Sequence, residues 1–454
     1  MKTLIYQIIS TLEQDPQSIA IEGQNHSITN QQLLEKAREY AHGIFDLEIH
    51  DSWIGVSTEL GWESYAAILG CWITGNGYVP INFNFPQSRT QEILSQTNMK
   101  YCIGCSKSIE EVLPLKGFSL DIVKGDKAYL IFTSGTTGVP KGVPITQNNL
   151  EAFATHYLNH NSIKFTSKDK FLQSYELTFD VSIFCFLMPF LTGGTLVLPY
   201  KRKSKQLGLF KTITDFKVTV VSFVPSVIRL TLDFLPRVQF PNVRYSFFSG
   251  EALMGSWAKV WMQSVVNAKV YNCYGPTETV IVCTEELLNK LDNSYFKNGL
   301  PLPLGEKFKN IEFQIVNKEI VFSGKQTFDG YLNQKPIANY ETGDLAHYDE
   351  HGKIIFDGRK DNQVQWNGHR IELEGMGLIL SKALESWVIP VYLEDFNQLI
   401  IFSQIDTNRV KLEIDKALPL YYRPTMVSQL SELPFNKNGK VDFIALKKVA
   451  YNLI

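Results

Sequence analysis

At 454 residues the chain is too long for one ordinary hydrophobic core, so two or three domains are expected, and its 44% hydrophobic and 20% charged residues are typical of a globular protein. The net charge of -2 gives no electrostatic reason to expect nucleic acid or a membrane surface as a partner. The chain begins like an amphipathic helix and not like a signal peptide, no apolar run approaches the roughly 20 residues of a membrane span, and the six cysteines are scattered, so we expect a cytoplasmic protein.

Short strands and helices alternate through the first 128 residues. Strands are expected at residues 19–21, 54–56 and 77–82, and helices at residues 33–41 and 64–73. Thr29 or Asn30 would cap the helix at residues 33–41. This alternation indicates an α/β sheet with mostly parallel strands.

A strand predicted at residues 129–132 leads into a loop of glycines and small hydroxyl residues that ends in Pro140-Lys141-Gly142. Glycines let backbone N–H groups approach a ligand closely, and successive N–H groups form a nest that binds anions. The loop therefore indicates a cradle for polyphosphate, to which Lys141 adds a point charge. It is not a Walker A loop, because Lys141 follows a proline and does not open a helix. The alternative, a flexible linker, suits the preceding strand and the closing proline poorly.

The pattern alternates again from residue 150 to residue 274. Helices are predicted at residues 150–158 and 181–191, and strands at residues 171–174, 195–198, 218–223, 243–248 and 269–274. Polar residues follow several of these strands. In open α/β sheets the ligand crevice lies at the carboxyl ends of the strands, so we expect the binding site there.

Two carboxylates lie in turns that suit a nucleotide site. After the strand at residues 269–274, a Gly-Pro turn presents Thr277, which can donate to a phosphate, and Glu278, which can hold Mg²⁺; the alternative is a plain exposed β-turn. Asp344 lies in a glycine turn, where it can accept ribose hydroxyls, and the alternative is an Asx turn. Arg359 adds a guanidinium suited to ribose or phosphate oxygens.

The region at residues 304–358 differs from what precedes it. Its short strands, separated by turn signals, indicate a small antiparallel, barrel-like subdomain. We place a domain boundary at Asp361, which divides the chain into an N-terminal core at residues 1–360 and a C-terminal domain at residues 361–454. The second part is long enough for a small α+β domain.

Lys440 follows the tight-turn dipeptide Asn438-Gly439 near the end of the chain. The dipeptide predicts a hairpin that displays an ordinary exposed lysine. Alternatively, a lysine on such a turn can reach a carboxylate and a phosphate across a cleft.

Together these segments resemble the adenylate-forming superfamily, which includes acyl- and aryl-CoA ligases, luciferases and the adenylation domains of nonribosomal peptide synthetases. The motifs keep the family's order and approximate spacing from residue 77 to residue 440, and the family's signature loop is met at residues 132–142, with Phe132 in place of tyrosine. The resemblance implies a large N-terminal domain of mixed and parallel sheets sandwiched by helices, followed by a small mobile C-terminal domain that rotates between half-reactions.

The resemblance also implies roles for matching residues. The ATP phosphates would be bound by Thr133, Ser134, Gly135, Thr136, Thr137, Gly138 and Lys141. The remaining nucleotide contacts would come from Asn272 and Tyr274 at the adenine, Asp344 and Arg359 at the ribose, and Phe356. Thr277 would contact the α-phosphate and Glu278 would hold Mg²⁺. Lys440 would bridge the substrate carboxylate and the α-phosphate, and Asp361 would be the hinge.

Within the superfamily the closer match is to members that activate amino acids, because Phe179-Asp180 matches their Phe-Asp pair. A buried ammonium needs a counter-charge, so Asp180 would receive the substrate's α-ammonium; a helix N-cap is the alternative. The other matched pocket positions are Val181, Phe184, Ser222, Phe247, Ser249, Cys273, Ile281 and Val282. Because this lining adds no charge, we expect a small or medium uncharged amino acid.

The layout is similar to that of free-standing D-alanine–carrier protein ligases, since neither a carrier nor a condensation domain is expected beside the adenylating one. We therefore expect a ligase that uses ATP and Mg²⁺ to form an aminoacyl-AMP with release of pyrophosphate, and then loads the phosphopantetheine thiol of a separate carrier protein. The alternatives are an acyl- or aryl-CoA ligase, and a catalytically silent nucleotide-binding partner protein.

One segment departs from the family pattern. Gln365 stands where the family usually has a lysine of the thioester-forming face, which argues against ordinary CoA as the acceptor. Trp366, directly after it, indicates a modified partner surface.

Overall fold

A computed structural model describes residues 3–105, 110–117, 121–133, 139–202, 204–297, 301–361, 363–434 and 441–454. The α-helices in these residues are α1 (Leu4–Gln14), α2 (Asn30–Asp46), α3 (Glu63–Ile73), α4 (Gln87–Thr97), α5 (Gln147–Leu158), α6 (Val181–Thr192), α7 (Lys205–Phe216), α8 (Pro225–Arg229), α9 (Gly255–Ser264), α10 (Leu373–Leu384), α11 (Thr407–Ala417) and α12 (Phe443–Tyr451). The strands are β1 (Ile19–Gly23), β2 (His26–Thr29), β3 (Trp53–Ser57), β4 (Gly77–Ile81), β5 (Tyr101–Ile103), β6 (Glu110–Glu111), β7 (Lys127–Thr133), β8 (Lys141–Thr146), β9 (Lys170–Leu172), β10 (Thr195–Val197), β11 (Val220–Phe223), β12 (Tyr245–Phe248), β13 (Lys269–Tyr274), β14 (Thr284–Leu287), β15 (Glu306–Lys307), β16 (Glu312–Val316), β17 (Glu319–Ser323), β18 (Tyr340–Tyr348), β19 (Ile354–Arg359), β20 (Gln363–Trp366), β21 (His369–Glu372), β22 (Val388–Leu393), β23 (Gln398–Ser403) and β24 (Met426–Gln429).

Two large sheets dominate the first part of the chain. One has the strand order β15-β14-β13-β12-β11-β9-β10-β1-β2, with parallel pairing from β13 to β1 and antiparallel strands at both edges. The other has the order β6-β5-β3-β4-β7-β8, and its β3, β4, β5, β6 and β7 pairings are parallel. This is the predicted alternation of strands and helices.

Smaller sheets follow. The sheet β16-β17-β18-β19 contains antiparallel pairs and covers the region predicted as an antiparallel subdomain. Its first hairpin turns at Asn317 and Lys318, both of which have positive φ, as a two-residue hairpin turn of this kind requires. Further along lie the two-stranded sheet β20-β21 and the three-stranded sheet β22-β23-β24.

Thr29, and not Asn30, caps α2. The Thr29 hydroxyl accepts a hydrogen bond from the backbone N–H of Gln32 at 3.2 Å, and the Gln32 side chain accepts one from the Thr29 N–H at 2.9 Å. This capping box satisfies two donors that the first turn of a helix leaves without intrahelical partners. The sequence had left both residues open as the cap.

Helix α6 is buried on every side, since residues 182–191 are all buried. A helix that is apolar all round can only lie inside a protein, and α6 packs against α1, β9 and β10. It ends at Gly193, which takes the left-handed conformation with φ of 75° that favours glycine. The burial of α6 carries its N-terminal neighbour, Asp180, into the interior.

Alternation along the strands places two cores on opposite faces of the nine-stranded sheet. On β12, Phe247 belongs to the core shared with α6, whereas the next residue, Phe248, belongs to the core around Trp261. On β13, Cys273 lies on the Phe247 side and Val270 on the Phe248 side. Successive side chains of a strand point to opposite faces, so each strand end offers two distinct surfaces.

The chain divides into two units. One contains Met1–Asn82, Thr97–Ile131 and Gly142–Gly358, and the other contains Phe83–Gln96, Phe132–Lys141 and Arg359–Ile454. The assignment of the functional domains to residues 1–360 and 361–454 stays a prediction.

Two further observations concern membrane-spanning helices and the pairing of cysteines. Among the residues that the structure describes, no helix combines the length and apolarity needed to cross a membrane. Cys102 and Cys105 are joined by a disulfide, whereas Cys71, Cys185, Cys273 and Cys283 are free and buried.

Replacing Thr29 with alanine is expected to lower the free energy of unfolding by about 1 kcal/mol, because the first turn of α2 loses the cap that binds the Gln32 N–H. Urea unfolding of the variant and the wild type measures this difference. Ser27→Ala, at an exposed position of β2, is the control. Equal midpoints for all three proteins would contradict the capping role.

Candidate active site

The predicted side-chain pocket gathers on one face of the nine-stranded sheet. Ser222 of β11 and Phe247 of β12 are register partners in parallel strands, and Cys273 of β13 lies on the same face. The Phe184 ring of α6 covers them, with its centroid 5.2 Å from that of Phe247. Ser249 follows β12 directly and is also buried. The structure therefore brings these five predicted pocket residues to the same strand ends.

The turn after β13 differs from the exposed β-turn that was the sequence alternative. Thr277–Thr279 form a short 3-10 helix, and Glu278 is completely buried. Val280 and Ile281 then take left-handed conformations with φ of 57° and 70°. Such angles are unfavourable for β-branched residues and persist only where neighbouring contacts impose them.

Gln326 supplies those contacts. Its side-chain amide donates to the carbonyl oxygens of Thr279 at 2.9 Å, Val280 at 3.4 Å and Val282 at 2.7 Å, and the residue is fully buried. The strained turn positions the pocket residues Ile281 and Val282. Sequence reasoning missed Gln326, because a single glutamine more than forty residues away from the turn carries no local signal.

Asp180 lies between this turn and the start of α6. It occupies the N-cap position, yet its side chain makes no capping hydrogen bond, so the N-cap alternative is wrong. The residue is 8% exposed, and its buried Oδ2 atom has no hydrogen-bond partner among the residues that the structure describes. A buried carboxylate oxygen of this kind is costly unless a ligand pairs with it.

Burial raises the pKa of Asp180 from 3.8 to about 7. The shift occurs although the nearby Thr277 hydroxyl and the backbone amide of Val181 favour the charged form, and the charge of Glu278 adds to it. Burial, together with the Asp180 charge, raises the pKa of Tyr78 and Tyr129, two tyrosines of the other large sheet. Their buried hydroxyls have no hydrogen-bond partner among the described residues. Within the described part of the chain, no ion pair compensates the Asp180 carboxylate.

Glu278 is held by the segment after β17. The Tyr331 hydroxyl donates to Glu278 Oε1 at 2.7 Å, and the backbone N–H of Phe328 donates to the Glu278 carbonyl at 2.9 Å. Carboxylate oxygens are the ligands that Mg²⁺ prefers, and each can accept more than one contact. The donor chemistry of Glu278 therefore fits the predicted magnesium ion.

The predicted adenine and ribose residues gather on the opposite face of β13. Asn272 donates to the carbonyl of Pro303 at 2.7 Å, and the Tyr274 hydroxyl donates to Asp344 Oδ2 at 2.5 Å. Burial and the Asp344 charge raise the pKa of Tyr274, which keeps its proton available for this bond. Phe356 lies on β19, next to β18 in the small antiparallel sheet.

Asp344 is not in an Asx turn. It belongs to strand β18, and its backbone N–H donates to the Thr342 hydroxyl at 3.0 Å. Gly343 has φ of 76° within that strand, which supplies the backbone freedom that the sequence attributed to a turn.

The second unit contains several residues that were predicted to bind the nucleotide or to form the hinge. The Arg359 guanidinium makes a two-pronged ion pair with Asp361, with both contacts at 2.7 Å. Partial burial alone would raise the pKa of Asp361, but the pairing with Arg359 lowers it. The Thr133 hydroxyl donates to the Lys141 carbonyl at 3.5 Å. Ser134, Gly135, Thr136, Thr137, Gly138 and Lys440 lie outside the described residues.

The expectation for Trp366 is wrong. Its side chain is only 6% exposed and packs in the core of the second unit against Tyr392, so it forms no partner surface. Gln365, on the same strand β20, is half-buried and opposite Arg370 of β21.

A parallel-stranded α/β fold, a buried aspartate and a carboxylate–tyrosine pair are the features expected of a nucleotide-dependent enzyme of the adenylate-forming kind. The family model described as AMP-binding enzyme matches residues 10–123 and 118–332. The chain belongs to the AMP-binding enzyme family.

Similar proteins extend over nearly the whole chain. The D-alanine--D-alanyl carrier protein ligase of Lactococcus lactis subsp. lactis (strain IL1403) is 27% identical over 503 residues, covering 98% of each chain. The ligase of the same name from Staphylococcus aureus (strain JH9) is 28% identical over 495 residues, covering 99% of each chain. The Vibrio cholerae adenylation domain AlmE, solved with glycyl-adenosine-5'-phosphate, superposes with a TM-score of 0.82 at 20% identity, over 99% of this chain and 98% of that one.

These matches confirm the predicted superfamily, the α/β fold class and the prediction of an enzyme. The relatives are ligases by name, in agreement with the predicted reaction class. The family match also supports use of an adenine nucleotide, the coarser part of the expected requirement for ATP and Mg²⁺.

Replacing Asp180 with asparagine is expected to stabilise the ligand-free protein at high pH. The pKa of Asp180 is about 7 in the folded protein and 3.8 when unperturbed, so the folded state binds more protons than the unfolded state between these values. The free-energy cost of burying the ionised Asp180 carboxylate is absent below pH 3.8. It grows as the pH rises towards 7 and has its full value above pH 7. The free energy of unfolding of the variant relative to the wild type should therefore increase by up to about 4 kcal/mol between pH 4 and pH 8.

Denaturant unfolding across this pH range gives the measurement. Asp233→Asn, at an exposed position after α8, is the matched control and should give no such trend. A difference between Asp180→Asn and wild type that stays constant with pH would contradict the raised pKa.

Proposed function

We propose that the protein is an ATP-dependent ligase that activates a small or medium uncharged amino acid as aminoacyl-AMP and then loads it onto a separate carrier protein. In the first step an oxygen of the amino-acid carboxylate bonds to the α-phosphorus of ATP, and the bond to pyrophosphate breaks. In the second step the phosphopantetheine thiol of the carrier attacks the activated carbonyl, its proton is released, and AMP leaves.

The observation that carries this proposal is the buried Oδ2 atom of Asp180, which has no hydrogen-bond partner. A substrate α-ammonium would pair with it and offset the cost of the buried charge. A fatty or aromatic acid without an amine would leave the carboxylate uncompensated. Asp180 therefore favours an amino acid over the substrates of acyl- or aryl-CoA ligases.

The residues around Asp180 favour an uncharged side chain. Phe184, Phe247 and Cys273 line one face with rings and a thiol that burial keeps protonated, because it raises the pKa of Cys273. A charged group placed against them would lose its hydration without a partner. The relatives named for D-alanine make this amino acid the first candidate, and their name also supports a carrier protein as the acceptor.

The nucleotide would lie at the other face of β13. Asn272 and Tyr274 would flank the adenine, Asp344 would bind the ribose with Phe356 and Arg359 as further contacts, and Thr277 would donate to the α-phosphate. Thr133, Ser134, Gly135, Thr136, Thr137, Gly138 and Lys141 would bind the remaining phosphates. Because little covalent chemistry is required of the protein, it contributes chiefly position and charge neutralisation.

Glu278 would hold the Mg²⁺ ion. When bound, the ion supplies positive charge that neutralises the phosphate oxygens. Tyr331 fixes the orientation of the carboxylate through its hydrogen bond at 2.7 Å. Lys440 would bridge the attacking carboxylate and the α-phosphate, and Asp361, paired with Arg359, would be the hinge before the C-terminal domain.

Asp180→Asn is expected to abolish amino-acid-dependent exchange of pyrophosphate into ATP, because the neutral amide cannot compensate the ammonium. The wild type should exchange with at least one amino acid in a panel of D- and L-forms that begins with D-alanine. Asp233→Asn controls for the loss of a carboxylate elsewhere. Undiminished exchange by Asp180→Asn would overturn the role of Asp180, and a wild type that exchanges with no amino acid in the panel would favour a CoA ligase.

Lys440→Ala is expected to slow adenylate formation by about a hundredfold to a thousandfold, the usual cost of removing one electrostatic stabiliser of a transition state. Transfer to the carrier from preformed aminoacyl-AMP should remain, which separates the two half-reactions. Lys437→Ala, three residues earlier, is the matched control. Normal adenylate formation by Lys440→Ala would refute the role of Lys440, and a wild type inactive in both steps would favour the silent partner protein.

A further inference from the structure

Tyr157, in the last turn of α5, lies against the predicted pocket residues, although it is not one of the pocket positions matched from the sequence. Its ring centroid lies 5.1 Å from that of Phe184 and 5.9 Å from that of Phe247, and the side chain is 2% exposed. Its hydroxyl also interacts electrostatically with the Cys273 thiol. Tyr157 thus contacts three residues of the lining at once.

A cluster of His156, His160 and Glu285 fixes the end of α5 beside this tyrosine. Both histidines direct Nε2 at Glu285 Oε1, His156 at 3.2 Å and His160 at 2.6 Å. Glu285 lies on β14 as the register partner of Cys273, so its side chain points to the same face of the sheet. The cluster therefore links the helix that carries Tyr157 to the strand pair that carries Cys273.

The hydrogen bonds of His160 fit a structural role better than a metal centre, and we call the cluster of His156, His160 and Glu285 the brace. The backbone N–H groups of Ser162 and Ile163 donate to His160 Nδ1 at 3.0 Å and 2.9 Å, so this nitrogen carries a lone pair. The ring proton is then on Nε2, which donates it to Glu285. A metal on Nε2 would require the proton on Nδ1, facing two donors.

The brace is also held from a second side. The His156 ring stacks on Phe308 with centroids 3.5 Å apart, and the Asn310 side chain donates to the Ala152 carbonyl of α5 at 2.9 Å. Burial alone would raise the pKa of Glu285, but its bonds to the histidines lower it, so the brace keeps a negative charge behind the Cys273 position. That charge opposes any acidic group that enters from the pocket side.

We propose that Tyr157 is the floor of the amino-acid side-chain pocket, and that the His156–Glu285–His160 brace fixes its depth so that the enzyme selects alanine-sized side chains. The proposal rests on the proposed function and specifies its substrate class. Because protein interiors are close-packed, a ring held against Phe184, Phe247 and Cys273 leaves no room for added methylene groups without displacing it. Tyr157 is therefore a specificity-determining residue.

The test compares pyrophosphate exchange with alanine, 2-aminobutyrate, norvaline and leucine, each in the D- and L-form. The wild type should lose catalytic efficiency as the side chain lengthens. In Tyr157→Ala and Tyr157→Leu the ratio of kcat/KM for 2-aminobutyrate to that for alanine should rise roughly tenfold or more, the usual discrimination of one methylene in an apolar pocket. Tyr157→Phe keeps the ring and should keep the preference.

Phe153→Leu is the matched control, since the Phe153 ring packs edge-on against Tyr157 from one turn earlier in α5, with centroids 5.3 Å apart. It loosens the same helix and should leave the ratio unchanged. Glu285→Ala should raise the ratio in the same direction as Tyr157→Leu, whereas Glu285→Gln keeps an Oε1 acceptor for both histidines and should restore selectivity. Thermal melts with and without ATP show that each variant is folded.

The two proposals fail differently. If no amino acid supports exchange by the wild type, the proposed function is wrong and the pocket assignment falls with it. If the wild type prefers alanine through Asp180, but folded Tyr157→Leu keeps the same ratio or Phe153→Leu shifts it equally, only the floor assignment is wrong.

Discussion

The structure around the candidate site depends on one constraint, the free-energy cost of burying the charge of Asp180. Asp180 must enter the interior because it precedes α6, a helix buried on all sides, and among the described residues no capping bond or ion pair compensates its carboxylate. Burial raises the pKa of Asp180 to about 7, so the charged carboxylate is costly in the ligand-free protein. A substrate that brings an ammonium group converts this cost into binding energy, and an uncharged competitor of the same size cannot.

A second constraint is the strained turn that faces Asp180. Val280 and Ile281 would not keep positive φ in an isolated peptide, and the side chain of Gln326 holds them there by bonding three carbonyl groups. Strain of this kind is retained where the surrounding structure imposes it, often at functional sites. The turn connects Thr277 and Glu278 to Val282, so it would fix phosphate contacts and pocket lining relative to one another.

Sequence patterns were sufficient where the physics is local. The capping signal before α2, the helix predicted at residues 181–191 and the strand predicted at residues 269–274 each depend on a few neighbouring residues. The strand ends that carry Ser222, Phe247 and Cys273 followed from the alternation of elements. The order of the motifs was enough to identify the family.

Failures arose where a distant contact decides the outcome. The alternative for the Gly-Pro turn was an exposed β-turn, yet Glu278 is buried and bonds to Tyr331 and Phe328 of another segment. Trp366 suggested a surface, but the core of the second unit encloses it. Tyr157 and Gln326 act through residues far away in sequence, so nothing in their own neighbourhood distinguishes them from ordinary core residues.

The two faces of β13 would allow one strand to line both the proposed amino-acid site and the proposed nucleotide site. Cys273 points towards Phe184 and Tyr157, whereas Asn272 and Tyr274 point the other way, and Tyr274 bonds Asp344. A shift of register by one residue would exchange the two sets, so the pairing of β13 with β12 and β14 determines both proposed sites together. The brace at Glu285 belongs to the same strand pair. The register of β13 and β14 would therefore determine both the depth of the proposed amino-acid pocket and the position at which the substrate carboxylate meets the α-phosphate.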